Sequence, residues 1–405
     1  MPINKLNTLL VSKSIRPCPL CRHEQSFKLL DLKYALFDDT PLTPCMHLVS
    51  CSRCGFMFYD TFSTEADFDN FYRDHYFIHS YSTNQDYQAD KEYIGEIARF
   101  LIERGLTGNS RIIDVGCGQG QLIRALKSHG FQNLAGVELC RDYVDGLKGE
   151  GYEAYWGSVL HLPIFKEKAD FLIYKHIFEH FFDLHAAIKM AYEQLAPSGY
   201  LLAAVPDAAR YHDFAGYSPL HYLTLEHINH FDIHHIESLF GAYGMKLEYS
   251  ASRMLDIAED YPFPIMSCIF RKQIKPVAVQ VKPNFELIEM MLNWFGEGNG
   301  LFSEELEEFR KTQRKVYVWG VSYRTSMYLA MSPLSSCNIQ AFFDIDPRKQ
   351  QKTLLGKSVR SPDDVLGTIV DNADVAVVIG VGPSSRSMMA RLLNLGFKGK
   401  IIRLL

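Results

Sequence analysis

The sequence predicts an α/β protein made of more than one unit. Three observations carry this. Apolar runs alternate with helix-period segments through the middle of the chain, the same alternation restarts at Lys315, and two Cys-x-x-Cys pairs precede both. At 405 residues the chain exceeds one ordinary core. The units expected are 1–80 around the cysteine pairs, 81–272 for the first α/β unit, 273–314 for a linker and long helix, and 315–405 for the second α/β unit.

Composition narrows the class. An apolar fraction of 47% and a net charge of −5 describe a globular protein without the basic field that nucleic acid requires. No apolar run approaches the roughly 20 residues that span a bilayer. Met1 to Arg16 holds only Leu9-Leu10-Val11 and no small-residue cleavage site, so a secretory signal is not expected. Nine cysteines under those conditions point to a reducing cytoplasm.

Cys18-Pro-Leu-Cys21 and Cys51-Ser-Arg-Cys54 can each clamp one side of a tetrahedral ion. Thiolate sulfur suits Zn2+, and four protein ligands leave no open position, so the expected metal is structural. The alternative is four reduced core thiols. His23, Cys45 and His47 lie close enough in sequence to substitute as ligands but are not preferred.

The elements of the first α/β unit follow in order. Glu92 to Arg104 has helical spacing, and Arg111 to Val115 is an apolar strand. Asp114-Val-Gly116-Cys-Gly118-Gln-Gly120 then turns into the helical segment from Gln121. A dinucleotide fingerprint needs a small residue at 121, where this chain has Gln121. The third glycine is Gly120, which gives the pattern of S-adenosylmethionine sites. Leu134 to Leu139 is the second strand, and Glu138 at its end suits a ribose diol. Tyr152 to Trp156 is the third, followed by Ser158 and Val159. With no acidic side chain there, adenine is expected to meet backbone at Val159 and apolar contacts. Ala169 to Tyr174 is the fourth strand, a helix spans Ala186 to Leu195, and Tyr200 to Val205 is the fifth strand. Met245–Ser252 and Phe263–Phe270 form an antiparallel end pair.

Ligands of open α/β sheets bind beyond the carboxyl ends of the strands. His176, Glu179 and His180 follow the fourth strand on that rim, and Glu226-His227 lies in a segment able to fold over it. Imidazole titrates near neutrality and suits proton removal from an acceptor. Each of these residues also has a plain structural reading, as a loop-backbone partner or the first turn of a helix. His234 and His235 follow a helix cap at Asp232 and read as exposed.

In the second α/β unit, Lys315–Gly320, Ile339–Asp346 and Ala373–Gly380 read as strands, and Ser361-Pro-Asp-Asp364 starts a helix. The turn Gly320-Val-Ser-Tyr-Arg-Thr lacks repeated glycines, which argues against an independent dinucleotide site.

On the loop, Glu138 and the entry Leu195-Ala-Pro-Ser-Gly199, residues 91–272 resemble the class I S-adenosylmethionine-dependent methyltransferases. The resemblance implies a Rossmann-like core in which Asp114, Gly116, Gly118 and Glu138 hold the cofactor, with Gly120 completing the loop. The whole chain resembles the deoxysugar C-methyltransferases, on the four cysteines, the cofactor loop, Glu226-His227 and Asp344-Ile-Asp-Pro-Arg-Lys-Gln350. That resemblance implies an N-terminal zinc-binding subdomain, a C-terminal Rossmann-like domain and a nucleotide-linked 4-keto-6-deoxysugar as substrate, methylated at the carbon beside the ketone. His227 oriented by Glu226 would be the base, His180 would steady the oxyanion, and Tyr76 would match an active-site tyrosine. The family carries a tyrosine two positions before its Glu-His pair. Here that position is Thr224, and Tyr222 is the nearest tyrosine. O- or N-methylation of a sugar or small metabolite, or a non-catalytic S-adenosylmethionine sensor or scaffold, are the alternatives.

Overall fold

A computed structural model describes residues 11–75, 86–157, 165, 167–213, 219–258, 261–273, 281–296, 304–380 and 384–404. The N-terminal strands β1 (Val11–Lys13), β2 (Gln25–Lys33), β3 (Cys45–Cys51) and β4 (Met57–Asp60) pair antiparallel in sequence order. Helix α1 (Glu65–Asp74) starts at a reciprocal cap, in which the Thr64 hydroxyl accepts from the Asp67 amide and Asp67 accepts from the Thr64 amide. The fifth strand of this sheet is borrowed. Asn229 and His230 pair with Phe58 and Met57, so the segment that carries His227 is stitched to the N-terminal unit.

The middle of the chain supplies α2 (Asp86–Glu103), β5 (Ile112–Val115), α3 (Gln121–Ser128), β6 (Leu134–Glu138), α4 (Arg141–Gly149) and β7 (Glu153–Trp156). It continues through β8 (Ala169–Lys175), α5 (Leu184–Gln194), β9 (Leu195–Pro206), β10 (Asn229–His230), α6 (Ile233–Gly241), β11 (Met245–Ala258) and β12 (Tyr261–Lys272). The sheet runs β7-β6-β5-β8-β9-β12-β11, with parallel pairing from β7 to β9 and antiparallel pairing at β12 and β11. Strand order reverses beside β5, which puts the ligand crevice of such sheets at the Asp114–Gly120 loop. The residues of β5 and β6 are buried throughout, which is why these strands are apolar in sequence apart from the site residues Asp114 and Glu138.

Helices α7 (Glu286–Gly296) and α8 (Glu304–Thr312) lie on either side of the glycine-rich run 296–300 that interrupts the long helical pattern of the sequence. A second sheet follows, from β13 (Lys315–Trp319), α9 (Tyr323–Met331), β14 (Asn338–Phe343), β15 (Thr353–Leu354), β16 (Lys357–Arg360), α10 (Pro362–Ile369), β17 (Val375–Ile379), α11 (Ser385–Asn394) and β18 (Lys400–Arg403). Its order is β15-β16-β14-β13-β17-β18, parallel except at β15. One hydrophobic cluster joins the three regions: Leu48 and Tyr59, then Tyr222 and Leu225, then Val318 and Phe342 all belong to it. Each such large side chain contributes roughly 1.5–3 kcal/mol through burial. The C-terminal unit also bonds directly to the first, through the Tyr323 hydroxyl to the His75 carbonyl (2.8 Å) and the Ala35 amide to the Ser326 carbonyl (3.0 Å). Among the described residues no helix is long and apolar enough to cross a membrane.

Candidate active site

The glycine loop turns tightly at the end of β5. The Gly116 and Cys117 amides donate to the Val137 carbonyl at 2.8 and 3.1 Å. Gly116 has φ +74°, and a Cβ there would fall 2.2 Å from Ile177 Cδ1. A Cβ at Gly120 would likewise meet Leu147, whereas at Gly118 (φ +53°) it would enter open space. Only the middle glycine therefore clears room for a ligand. The outer two clear room for the protein's own side chains.

Glu138 is 4% exposed, and both of its oxygens are engaged: Oε2 accepts from the Gly118 amide at 2.9 Å and Oε1 from the Cys140 amide at 2.8 Å. The carboxylate is thus locked to the loop, and the remaining lone pairs of each oxygen are what it can offer a diol. Asp114, at the end of β5, is buried, and burial pushes its carboxyl up to about 7 despite the opposing influence of Lys175.

Strand β8 ends at Lys175, and the next residue, His176, adopts a left-handed conformation (φ +57°). That conformation costs a non-glycine residue about 1–2 kcal/mol. It is tied down by its amide to the Ala204 carbonyl (2.8 Å) and by its Nδ1 against Glu179 Oε1 (3.2 Å). The 3-10 turn Phe178–His180 then delivers His180 beside the loop, because Ile177 abuts Gly116. His180 Nδ1 donates to the Glu226 carbonyl at 2.9 Å, and the Tyr72 hydroxyl lies 3.1 Å from the same nitrogen. The carbonyl assigns the proton to Nδ1, so in the neutral ring Nε2 carries the lone pair. The His227 ring stands edge-on to His180 with centroids 4.9 Å apart. Burial holds His227 well below the ordinary imidazole range, so it is neutral.

Several sequence expectations change here. Glu226 does not orient His227 through its carboxylate: His227 Nδ1 has no hydrogen-bond partner, and Glu226 works through its backbone carbonyl on His180. Burial raises the Glu226 carboxyl, offset by His180 and by Arg324 from the C-terminal unit. Arg324 itself donates to the His221 carbonyl at 2.7 Å. Tyr222 is fully buried, with its hydroxyl on the Pro262 carbonyl (3.2 Å), so it does not stand in for the tyrosine missing at Thr224. Tyr72, on α1, supplies the hydroxyl at His180 instead. It stands on α1 beside the buried Phe68 and Phe71, with no motif around it to mark it as a site residue. Tyr76, Ser158 and Val159 lie outside the described residues. His235 is buried, not exposed. Its Nε2 donates to the Cys54 carbonyl at 2.9 Å, while His234 is exposed as expected.

Two sets of side chains lie close enough to hold a metal. Glu179, His180 and His227 have ligand-type atoms within 4.8 Å of one another, as do Cys18, Cys21, Cys51 and Cys54. In the cysteine set, Cys18 and Cys54 sulfurs are 3.8 Å apart and Cys21 and Cys51 sulfurs 3.5 Å. Zinc–sulfur bonds of about 2.3 Å in a tetrahedron place sulfurs roughly 3.8 Å apart, so these four residues fit that ion. His23 and His47 are engaged elsewhere, with Ser52 and Asp31.

The profile of a family described as "Methyltransferase domain" matches residues 86–250. Residues 86–250 are a methyltransferase domain, and the chain is a methyltransferase. The matched stretch holds the glycine loop, Glu138, His180 and His227. No curated protein matches the sequence. Among solved structures, it is similar to an S-adenosylmethionine-dependent methyltransferase from Methanosarcina mazei (16% identity, TM-score 0.36, 43% of this chain and 98% of that one). It is also similar to one from Mesorhizobium loti (15% identity, TM-score 0.35, 44% of this chain and 100% of that one). A third is magnesium protoporphyrin IX methyltransferase from Synechocystis with bound S-adenosylhomocysteine (14% identity, TM-score 0.36, 50% of this chain and 94% of that one).

Proposed function

We propose that this S-adenosylmethionine-dependent methyltransferase methylates a nucleotide-linked ketodeoxysugar at the carbon beside its ketone. The observation that carries the reading is the His180–His227 pair, with Tyr72, on a turn that abuts the glycine loop. The donor lies along Asp114–Gly120 with its ribose at Glu138. His227, neutral through burial, takes the proton from the acceptor carbon. The enolate carbon then attacks the methyl group, the carbon–sulfur bonding pair passes to sulfur, and S-adenosylhomocysteine leaves. His180 steadies the oxyanion by donating from Nε2 when that nitrogen is protonated. The four cysteines hold structural zinc, which supplies fold and no chemistry. The C-terminal unit, through Arg324, adds positive charge near Glu226. Incubation with labelled S-adenosylmethionine and a panel of nucleotide 4-ketosugars tests this. Label on carbon supports the reading, and label only on hydroxyls overturns the carbon acceptor.

Thr224 in place of tyrosine favours a second reading, O- or N-methylation of a sugar or other small metabolite. The same assay separates the two by the atom labelled. Metal analysis of the purified chain tests the cysteine site: one zinc per chain is expected, and its absence from Cys51→Ser assigns the ligand.

A further inference from the structure

The two histidine-bearing segments come from distant parts of the chain, and one buried side chain joins them. Asn229 is 1% exposed and lies two residues beyond His227. Its Nδ2 donates to the Phe181 carbonyl at 2.7 Å and the Phe178 carbonyl at 3.3 Å, and lies 3.5 Å from the Glu179 carbonyl. These carbonyls bracket His180. Within this one-turn 3-10 helix only a long bond from the Phe181 amide (3.4 Å) reaches the Phe178 carbonyl, and a buried carbonyl short of donors is costly. One primary amide, with two protons, meets that need and at the same time fixes the turn against the 226–229 segment.

Asn229 is itself anchored from the N-terminal unit. Its backbone pairs with Phe58, and the buried Arg16 donates to the Ile228 carbonyl at 3.4 Å and reaches Asn229 Oδ1 at 3.5 Å. Arg16 is wedged between the Phe58 and Phe182 rings, 5.3 and 4.7 Å from their centroids. Its own amide, with that of Ile15, donates to the Asp60 carboxylate at 2.9 Å each. A rigid chain of contacts therefore runs from β4 through Asn229 to the turn under His180.

We infer that Asn229 is a positioning residue for methyl transfer, setting the separation of the His180 and His227 rings without touching a substrate. The proposal rests on the reading of those histidines as the proton-handling pair. A displacement of about 1 Å in such a pair is enough to cost ~100-fold in rate. Asn229→Asp is the discriminating substitution, because it keeps the shape but sets an oxygen where the amide donated to the Phe181 and Phe178 carbonyls. The probe is the full chain, deuterated except for 13C-labelled histidine, with the two rings assigned through His180→Gln and His227→Gln. Wild type should show magnetisation transfer between the rings at 4.9 Å centroid separation. In Asn229→Asp that transfer should be lost and kcat should fall ~100-fold, while S-adenosylhomocysteine affinity stays within about twofold because the Glu138 loop is untouched. Asn229→Ser, smaller and retaining one donor proton, gives the same test should the aspartate variant not fold. Unchanged ring contact and kcat in a folded variant overturn the proposal. Full turnover by His227→Gln would instead overturn the reading beneath it, so the two failures are distinct.

Discussion

Glu138→Gln tests the donor site with almost no change of shape. In the native protein each carboxylate oxygen accepts one backbone amide, Gly118 on one side and Cys140 on the other. A glutamine has one acceptor oxygen. Whichever way its amide turns, an NH2 faces one of those two N–H groups, and a buried donor loses its partner at a cost of about 1–3 kcal/mol. Hydrogen bonds to a charged group are worth about 1.5–3 kcal/mol, so a diol bound by the neutral amide loses part of that as well. At 1.4 kcal/mol per tenfold, the dissociation constant for S-adenosylhomocysteine should rise about 10- to 100-fold. Isothermal calorimetry measures this, and thermal melting reports the stability cost alongside. Affinity within twofold of wild type, with an unchanged Tm, would refute the placement of the ribose at Glu138.

The glycines of the loop should respond differently to alanine. Gly116→Ala meets Ile177 and should shift the His180 turn as well as the loop, lowering both stability and turnover, whereas Gly118→Ala keeps the fold and weakens donor affinity; equal effects by melting and calorimetry would contradict the contacts. Acid should destabilise the acceptor segment. Burial depresses His221 to about 2 and His230 to about 3, so each stays neutral in the folded chain and takes a proton on unfolding below its ordinary value near 6.5. Their stabilising contribution is complete above that value and falls as pH drops through the window down to about 3, by up to about 1.4 kcal/mol per pH unit for each group. Asp114, raised to about 7, works in the opposite direction over part of that range, so the slope should steepen in Asp114→Asn and flatten in His230→Phe, read by denaturation at stepped pH. Arg324→Met removes a cation that holds His227 down and Glu226 down; the acid limb of the kcat/KM profile should move to higher pH, and an unmoved limb would separate the C-terminal unit from the chemistry.

The parallel core was legible because β5, β6 and the centre of β8 are buried and so appear as mostly apolar runs, punctuated by the glycine loop and Glu138. The cysteine pairs were legible because ligand spacing is local, and the structure gathers all four sulfurs. What sequence did not disclose depends on long-range pairing. The 229–230 strand joins a sheet whose other strands end at Asp60, and nothing near it announces that partner. Tyr72 was hidden because a helical aromatic stripe looks the same whether its tyrosine packs or bonds to a histidine 108 positions away. His235 misled for the converse reason: a capping aspartate two residues before the first of two histidines reads as a surface helix start, and only the fold presents Cys54 to the ring. Glu226-His227 looked like an orienting pair because the residues are adjacent, yet His227 Nδ1 and one Glu226 carboxylate oxygen are left without hydrogen-bond partners.

The measurement that bears most directly on the account is proton exchange in the absence of any methyl donor. A nucleotide-linked 4-ketosugar incubated with the protein in deuterium oxide should lose the proton beside its ketone faster than in buffer, and His227→Gln should abolish that rate enhancement while leaving S-adenosylhomocysteine binding intact. Methylation of the same sugar carbon with no enzyme-dependent exchange, or exchange undiminished in His227→Gln, would contradict the assignment of His227 as the base.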